Sequence, residues 1–273
     1  MNTVAPAIRR LPGALRRRLD RPGSRWLLGA LLSIVLSIAD RRSCRVRWTG
    51  AAWSYRYDGQ TVLSNQILRP RTTFDADLDI FLWDYTPAPG HTILDIGAGT
   101  GTEAIRLARS VGPTGRVIAV EAHPDAAEIL ASVGPLNGVA NIDTVSAAVA
   151  DVAGTVCIAD TDEPGTNSLF EGGPTRRVPA VTVDELVEAH HLERIDFLKM
   201  NIEGAERLAI LGMSGSVERI DRMAISCHDF LGTDWGRTSA VVQQWLEGHG
   251  FTVHRRLDDP RPWARDYLYA TSP

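Results

Sequence analysis

A glycine-rich turn between an apolar segment and a helical segment constrains the fold of this chain more than any other feature. The run Thr92-Ile-Leu-Asp-Ile leads directly into Gly97-Ala-Gly-Thr-Gly101, and residues 102–111 then carry apolar side chains at helical spacing. Glycine adopts backbone conformations that other residues avoid and lets a ligand approach the main chain closely. The sequence therefore predicts a strand, a ligand-binding turn and a helix at the start of an open α/β sheet.

The segments after residue 91 alternate between strand and helix patterns, as in a parallel sheet covered on both faces. We predict strands near residues 92–97, 116–121, 142–149, 195–201, 221–228, 251–257 and 266–271. We predict helices near residues 102–111, 124–134, 203–212 and 238–249. The last two strands have almost no helix between them, so the seventh strand should insert antiparallel. This predicts an α/β, Rossmann-like sheet of seven strands, with residues 152–182 as a turn-rich insertion.

The residues around the glycine turn indicate the kind of ligand. A dinucleotide fingerprint would need glycine where Thr102 stands, and no phosphate-loop pattern is present. Glu121 ends the second strand, where a carboxylate can accept hydrogen bonds from both hydroxyls of an adenosine ribose. The pattern favours S-adenosyl-L-methionine, which has no pyrophosphate, over a dinucleotide or a purely structural turn. The predicted cofactor-binding residues are Asp95, Gly97, Ala98, Gly99, Thr100, Gly101, Glu121, Ala122 and Asn201.

A second run, Lys199-Met-Asn-Ile-Glu203-Gly-Ala-Glu206, follows the predicted fourth strand and resembles the signature Lys-Ile-Asp-Val-Glu-Gly-Ala-Glu of the FkbM-type methyltransferases. The resemblance covers about residues 75–270. It implies a class I methyltransferase sheet and methyl transfer to an oxygen of a sugar, polyketide or other secondary metabolite. Asn201 departs from the signature, because an amide there cannot take a proton. The alternative is that Asn201 caps a helix beginning near Glu203.

Three side chains are candidate catalytic residues. His228 lies at the predicted end of the fifth strand, where open α/β sheets place their ligands, and could act as a general base on a hydroxyl acceptor. Glu203 is a second candidate base. Lys199 is the only lysine beside 28 arginines, and its alternative role is to pair with Glu203 or Glu206. No compact metal-ligand spacing is present, so no metal site is predicted. Each of these residues could instead be structural.

Charge is distributed unevenly along the chain. Of its 29 basic and 33 acidic residues, eleven arginines and two aspartates lie in residues 1–50, so this part carries +9 and the remainder −13. The acidic remainder disfavours a nucleic-acid partner. The arginines flank the apolar run 26–39, which is short for a bilayer span. It is interpreted as a short helix packed on the methyltransferase domain behind an Arg-rich leader, as a peripheral membrane contact through residues 9–42, or as an export signal.

We divide the chain into a basic and apolar leader (1–44), a small β element (45–74) and a methyltransferase domain (75–273). A short helix is predicted at 75–85. Three cysteines without a CxxC pair favour a reducing, cytoplasmic setting. The predicted partner is a small-molecule hydroxyl acceptor, with a lipid-linked acceptor as one option. Rival functions are a cofactor-binding protein without catalysis and an N-methyltransferase. The sequence does not indicate the oligomeric state.

Overall fold

The computed structural model describes residue 21 and residues 23–64, 66–160 and 174–273. Its first unit is a helix on a small antiparallel sheet, in the strand order β1-β2-β3. The elements are α1 (Arg25–Asp40), β1 (Cys44–Trp48), β2 (Trp53–Tyr57) and β3 (Gln60–Ser64). Leu28, Leu32 and Leu36 of α1 are buried against Trp53 and Tyr55 of the sheet. The helix predicted in the apolar run is therefore present, but its buried leucines pack on the small sheet and not on the methyltransferase domain. No helix in the described ranges has the length and apolar character needed to cross a bilayer.

The main sheet has seven strands in the order β12-β13-β11-β10-β4-β5-β6. Only β13 runs antiparallel to its neighbours, and it pairs with both β11 and β12. This confirms the predicted seven-stranded class I methyltransferase sheet with an antiparallel last strand. The strands are β4 (Thr92–Ile96), β5 (Arg116–Glu121), β6 (Ile142–Ser146), β10 (Phe197–Met200), β11 (Arg222–Ser226), β12 (Thr252–His254) and β13 (Tyr267–Thr271).

Helices cover both faces of this sheet because the side chains of each central strand point alternately to two buried cores. One core contains Leu94, Leu198 and Ile225, and the other contains Ile93 and Phe197. The helices of this part are α2 (Pro70–Phe81), α3 (Thr102–Val111), α4 (Pro124–Asn137), α5 (Val183–Ala189), α6 (Glu206–Leu211), α7 (Ser239–Gly248) and α8 (Pro262–Arg265).

Several predicted boundaries were wrong, for local reasons. The helix predicted at 75–85 is α2, which begins at Pro70, a residue suited to the first helical turn. The helix predicted from residue 203 begins at Glu206, because Glu203 and Gly204 adopt positive φ angles of 52° and 97°. Helix α5 was not predicted, although Thr182 and Glu185 form a capping box at its start.

The segment predicted as a turn-rich insertion contains a second small sheet, in the order β7-β9-β8. Its strands are β7 (Ala148–Val149), β8 (Gly154–Ala159) and β9 (Thr175–Val181). The predicted strand 142–149 is thus divided between two sheets. Part of the insertion, residues 161–173, lies outside the described residues.

Candidate functional site

The glycine turn joins β4 to α3 at the carboxyl edge of the sheet. Gly97, Gly99 and Gly101 have φ angles of 76°, 56° and 80°, a region that favours glycine. A Cβ atom on Gly97 would lie 2.0 Å from the carbonyl oxygen of Asn201, and one on Gly101 would lie 2.6 Å from Leu130 Cδ1. A Cβ on Gly99 would meet no atom within 4 Å. Gly97 and Gly101 therefore serve close packing, whereas Gly99 borders open space.

The other two residues of the turn differ in their surroundings. The side chain of Ala98 is buried in the core beneath α3, and its N–H donates to the Val120 carbonyl. Ala98 therefore shapes the turn rather than lining it. Thr100 is half-buried.

Glu121 lies beside the turn at the end of β5. One carboxylate oxygen accepts from the N–H of Gly99 and the other from the N–H of His123, each at 2.8 Å. Burial raises the pKa of Glu121, although these two N–H groups oppose that shift. Because each oxygen retains acceptor capacity, the carboxylate can also bind two ribose hydroxyls. The neighbouring Ala122 is half-buried against a small apolar cluster of the insertion.

Asp95 and Lys199 face each other on adjacent strands β4 and β10. Lys199 Nζ lies 2.9 Å from Asp95 Oδ1 and donates to the Gly97 carbonyl at 2.6 Å. The alternative prediction that Lys199 pairs with Glu203 or Glu206 was wrong, because the strand register places it opposite Asp95. Both side chains are buried, so Lys199 holds Asp95 and the glycine turn in place. This arrangement gives Lys199 a positioning role.

Two further carboxyl groups adjoin this ion pair, and sequence reasoning missed both. Burial raises the pKa of Glu103. The positive charge of Lys199 opposes this rise, and the negative charge of Asp95 adds to it. Burial and the neighbouring Glu103 raise the pKa of Asp77 to about 7. Glu103 lies in the first turn of α3 and accepts from the Thr102 hydroxyl at 2.9 Å. Lys199 thus contacts Asp95 directly, and its positive charge opposes the rise in the pKa of Glu103 and of Asp77.

This charge distribution distinguishes between ligands. A pyrophosphate on the N-terminus of α3 would meet the buried Glu103, which disfavours a dinucleotide. S-adenosylmethionine instead carries an ammonium, a sulfonium and one carboxylate, so its net charge is positive. Asp95 Oδ2 is fully buried and has no hydrogen-bond partner among the described residues. The surplus of carboxyl groups, this unpartnered oxygen and the open face at Gly99 therefore fit S-adenosylmethionine.

His228 follows β11 and lies between two glutamates. Its Nδ1 is 3.0 Å from Glu206 Oε1, and its Nε2 is 3.5 Å from Glu203 Oε2. Burial alone would lower the pKa of His228, but the hydrogen bonds and charges of Glu203 and Glu206 outweigh it and raise the pKa to about 10. Two carboxylates against the ring favour the imidazolium form, which is a poor proton acceptor, so this arrangement does not favour His228 as the general base and that role stays a prediction.

Glu203 and Glu206 have different surroundings although both contact His228. Glu206 is fully buried, and its carboxylate accepts from the N–H groups of Ile202 and Gly204 and from the Thr238 hydroxyl. The side chain of Glu203 is 22% exposed. Glu203 is therefore the accessible carboxylate of the group, while Glu206 supports the loop that carries it. Sequence reasoning considered Glu206 only as a partner of Lys199, although the signature run contains it.

The loop after His228 closes one side of this group. Asp229 accepts from the N–H groups of Thr238 and Ser239 and from the Ser239 hydroxyl, so it caps the N-terminus of α7. It does not orient His228. A Cβ on Gly204 would lie 2.5 Å from the Trp235 ring, so this tryptophan packs directly on the loop containing Glu203.

Asn201 was predicted to lie in the cofactor site or to cap a helix, and the structure agrees only with the first position. Its N–H donates to the Ile96 carbonyl, which places it beside the glycine turn as expected for a cofactor-site residue. The alternative prediction of a helix cap was wrong, because α6 begins at Glu206 and Ala205 occupies the cap position. Among the residues that the structure describes, no three His, Cys, Asp or Glu side chains are grouped as metal ligands would be.

Comparison with known proteins gives one family match. A family model described as the Methyltransferase FkbM domain matches residues 95–253. Protein-L-isoaspartate O-methyltransferases from Methanopyrus kandleri and Aeropyrum pernix are 50% and 52% identical over 42 residues. That stretch is 15% of this chain and 19% and 16% of those proteins, so the chain spans less than a fifth of the curated relatives it matches.

Two solved structures match the chain at low sequence identity. Aeropyrum pernix fibrillarin with natively bound S-adenosyl-L-methionine is 16% identical, with coverage of 84% of this chain and 87% of that one and a TM-score of 0.46. Methyltransferase FkbM from Methylobacillus flagellatus KT is 17% identical, with coverage of 66% and 43% and a TM-score of 0.46.

Proposed function

Given that this chain belongs to the FkbM methyltransferase family, we propose that it transfers a methyl group from S-adenosyl-L-methionine to a hydroxyl oxygen of a small molecule. The accessible carboxylate of Glu203, held 3.5 Å from the His228 imidazolium, is the observation that carries the proposal. The resemblance of the signature run suggests which hydroxyl compounds accept the methyl group, namely sugars, glycolipids or other secondary metabolites. A small-molecule acceptor also suits the acidic remainder of the chain, which disfavours nucleic acid.

The chain's own residues would bind and orient the methyl donor. When bound, S-adenosylmethionine supplies an electrophilic methyl group on a positively charged sulfur. Asp95 would provide negative charge next to the glycine turn, and Glu121 would accept hydrogen bonds from the ribose hydroxyls. Lys199 holds the glycine turn in place by donating to the Gly97 carbonyl and pairing with Asp95. Such positioning matters because methyl transfer needs the acceptor, methyl group and sulfur aligned with water excluded.

Glu203 would take the proton of the acceptor. A hydroxyl oxygen that attacks a methyl group becomes a protonated ether, which is far more acidic than the alcohol, so a carboxylate suffices as the base. As the C–O bond forms, the bond between the methyl carbon and sulfur would break and its electron pair would leave with S-adenosylhomocysteine, while the O–H proton would pass to the Glu203 carboxylate. His228 and Glu206 would hold Glu203 in place, because the imidazolium contacts both carboxylates.

The donor is tested first by calorimetry with S-adenosylmethionine and S-adenosylhomocysteine, with NADH as the control ligand. Glu121→Gln should weaken binding about tenfold, since it replaces two charge-assisted acceptors by one amide. Preference for NADH would refute the proposed cofactor. Binding without turnover of any hydroxylated acceptor would instead favour a cofactor-binding protein without catalysis, the function that Asn201 in place of Asp suggests.

The base is tested with Glu203→Gln, which keeps the size of the side chain. We expect turnover with a hydroxylated acceptor to fall by about 100-fold or more, while the dissociation constant of S-adenosylmethionine stays unchanged. Glu218→Gln is the matched control, because Glu218 is an exposed glutamate outside this group. Unchanged turnover in Glu203→Gln, or methylation of amines in preference to alcohols, would refute the proposed reaction.

A further inference from the structure

Helix α1 is apolar on two faces, and only one of them is buried. Residues 26–39 contain no charged side chain. Leu28, Leu32 and Leu36 face the small sheet, and the opposite face is open. Its largest side chains are Trp26, Leu27, Ile34 and Ile38, which are 71%, 45%, 60% and 72% exposed. A helix of 16 residues presents this outer apolar face over about 24 Å. Exposed apolar surface of this extent marks an interaction site.

The small sheet holds α1 in a fixed orientation. The hydroxyls of Ser33 and Ser37 accept from the N–H groups of Val46 and Cys44, at 2.8 and 2.9 Å. These N–H groups belong to β1, an edge strand, so the helix covers that edge. Asp40 at the end of α1 is paired with Arg69 and Arg71. Because the middle and the C-terminal end of α1 are fixed, the helix cannot rotate to bury its outer face.

Positive charge surrounds the outer apolar face. Residues 21–64 contain only two carboxylates, Asp40 and Asp58, and both are paired with Arg71. Exposed arginines flank the helix and lie on the outer side of β1, at positions Arg21, Arg41, Arg42, Arg45 and Arg47. Arg45 and Arg47 line a groove together with Trp26 and Trp48. The face is thus an apolar strip with a basic rim and a tryptophan at the boundary, as in interfacial helices.

We propose that the outer face of α1 lies in the surface of an anionic lipid bilayer. Trp26, Ile34 and Ile38 would enter the boundary between headgroups and acyl chains, while the arginines of the rim contact phosphate groups. The charge distribution orients the molecule, because residues 1–50 carry +9 and the remainder carries −13. The inference rests on α1 and β1, and it does not depend on the methyl acceptor.

The full chain is tested by sedimentation with vesicles of phosphatidylcholine, and of phosphatidylcholine mixed with phosphatidylglycerol. We expect strong binding to the mixed vesicles and weak binding to the neutral ones. Ile34→Ser/Ile38→Ser should reduce binding to the mixed vesicles by about tenfold or more. The matched control is Val241→Ser/Leu257→Ser, which removes two apolar side chains that are 53% and 62% exposed elsewhere. This control should bind as the unmodified chain does.

The electrostatic part is tested with Arg45→Gln/Arg47→Gln. Each arginine near an anionic surface contributes about 1 kcal/mol, so the double variant should bind mixed vesicles about tenfold or more weakly. Arg177→Gln/Arg237→Gln, two exposed arginines outside the N-terminal unit, is the control and should show little change. Thermal unfolding of each variant tests whether it is folded.

Two results would overturn the proposal. One is that the unmodified chain does not sediment with mixed vesicles, or that Ile34→Ser/Ile38→Ser sediments with them as strongly as the unmodified chain. The other is a dimer in light scattering that these substitutions convert to a monomer, without any vesicle binding by the unmodified chain. That second result would assign the outer face of α1 to a second copy of the chain.

Discussion

Replacing Glu206 by glutamine should lower the pKa of His228 and thereby test the charge arrangement of the site. The substitution preserves the size of the side chain and an acceptor oxygen for the N–H groups of Ile202 and Gly204. It removes the fully buried charge 3.0 Å from His228 Nδ1. The partner on Nε2, Glu203, is farther away and partly exposed.

The magnitude follows from the separation of the charges. Two unit charges about 4 Å apart interact by about 4 kcal/mol at an effective dielectric constant of about 20. That energy corresponds to about 3 pKa units. The pKa of His228, raised to about 10 in the unmodified protein, should therefore fall toward neutrality in Glu206→Gln. Burial, which lowers the pKa of a histidine, would then be opposed by Glu203 alone.

The same shift makes a prediction about stability. The folded pKa of His228 lies above the ordinary value of 6.5, so its stabilising contribution is complete below pH 6.5. It is lost progressively as the pH rises from about 6.5 to about 10. The upper limit of the contribution is about 5 kcal/mol. The difference in unfolding free energy between the unmodified protein and Glu206→Gln should therefore shrink over this interval.

The assay is an NMR titration of the histidine ring, combined with chemical denaturation at several pH values. Glu218→Gln serves as the control for loss of an exposed glutamate. A His228 ring that titrates near pH 6.5 in the unmodified protein would refute the reasoning, as would equal values in both proteins. It would also favour His228 as the general base.

Three further predictions concern the surroundings of the site. Gly97→Ala should destabilise the protein by about 2 kcal/mol or more and abolish binding of S-adenosylmethionine in calorimetry, since its Cβ would lie 2.0 Å from the Asn201 carbonyl oxygen. Lys199→Met should cost about 3–5 kcal/mol in chemical denaturation by leaving Asp95 buried without its partner, and adding Asp95→Asn should recover part of the loss. Asp229→Ala should cost about 1 kcal/mol by removing the cap of α7, seen as a lower melting temperature, and an unchanged value would contradict the capping role.

The sequence predicts the main sheet well because its evidence is local. The glycine turn, Glu121 and the hairpin of the last strands each lie within a short segment, and each segment folds as its pattern indicates. Boundaries fail where a single residue decides them, as at Pro70 in α2 and at Glu203 before α6.

The candidate site is less predictable because its partners come from distant segments. Lys199 meets Asp95 only through the strand register, and Asp77 comes from the helix that precedes the sheet. His228 looks like a general base by position and residue type. Its protonation depends on Glu206, a buried carboxylate contributed by another element. Charge environments of this kind arise from tertiary packing, which a sequence pattern does not specify.

The signature run acquires a physical explanation once its residues are seen together. Glu203 adopts a φ angle of 52°, which costs about 1–2 kcal/mol for a residue other than glycine. Glu206 accepts hydrogen bonds from the N–H groups of the residues on either side of Glu203, and these bonds hold the backbone of Glu203 in this conformation. Gly204 is required because Trp235 packs against its Cα side. The first glutamate is thus the partly exposed residue that we propose as the base, and the second is the buried residue that stabilises its backbone. A substitution at Glu206 should therefore impair turnover through Glu203 without contacting the acceptor.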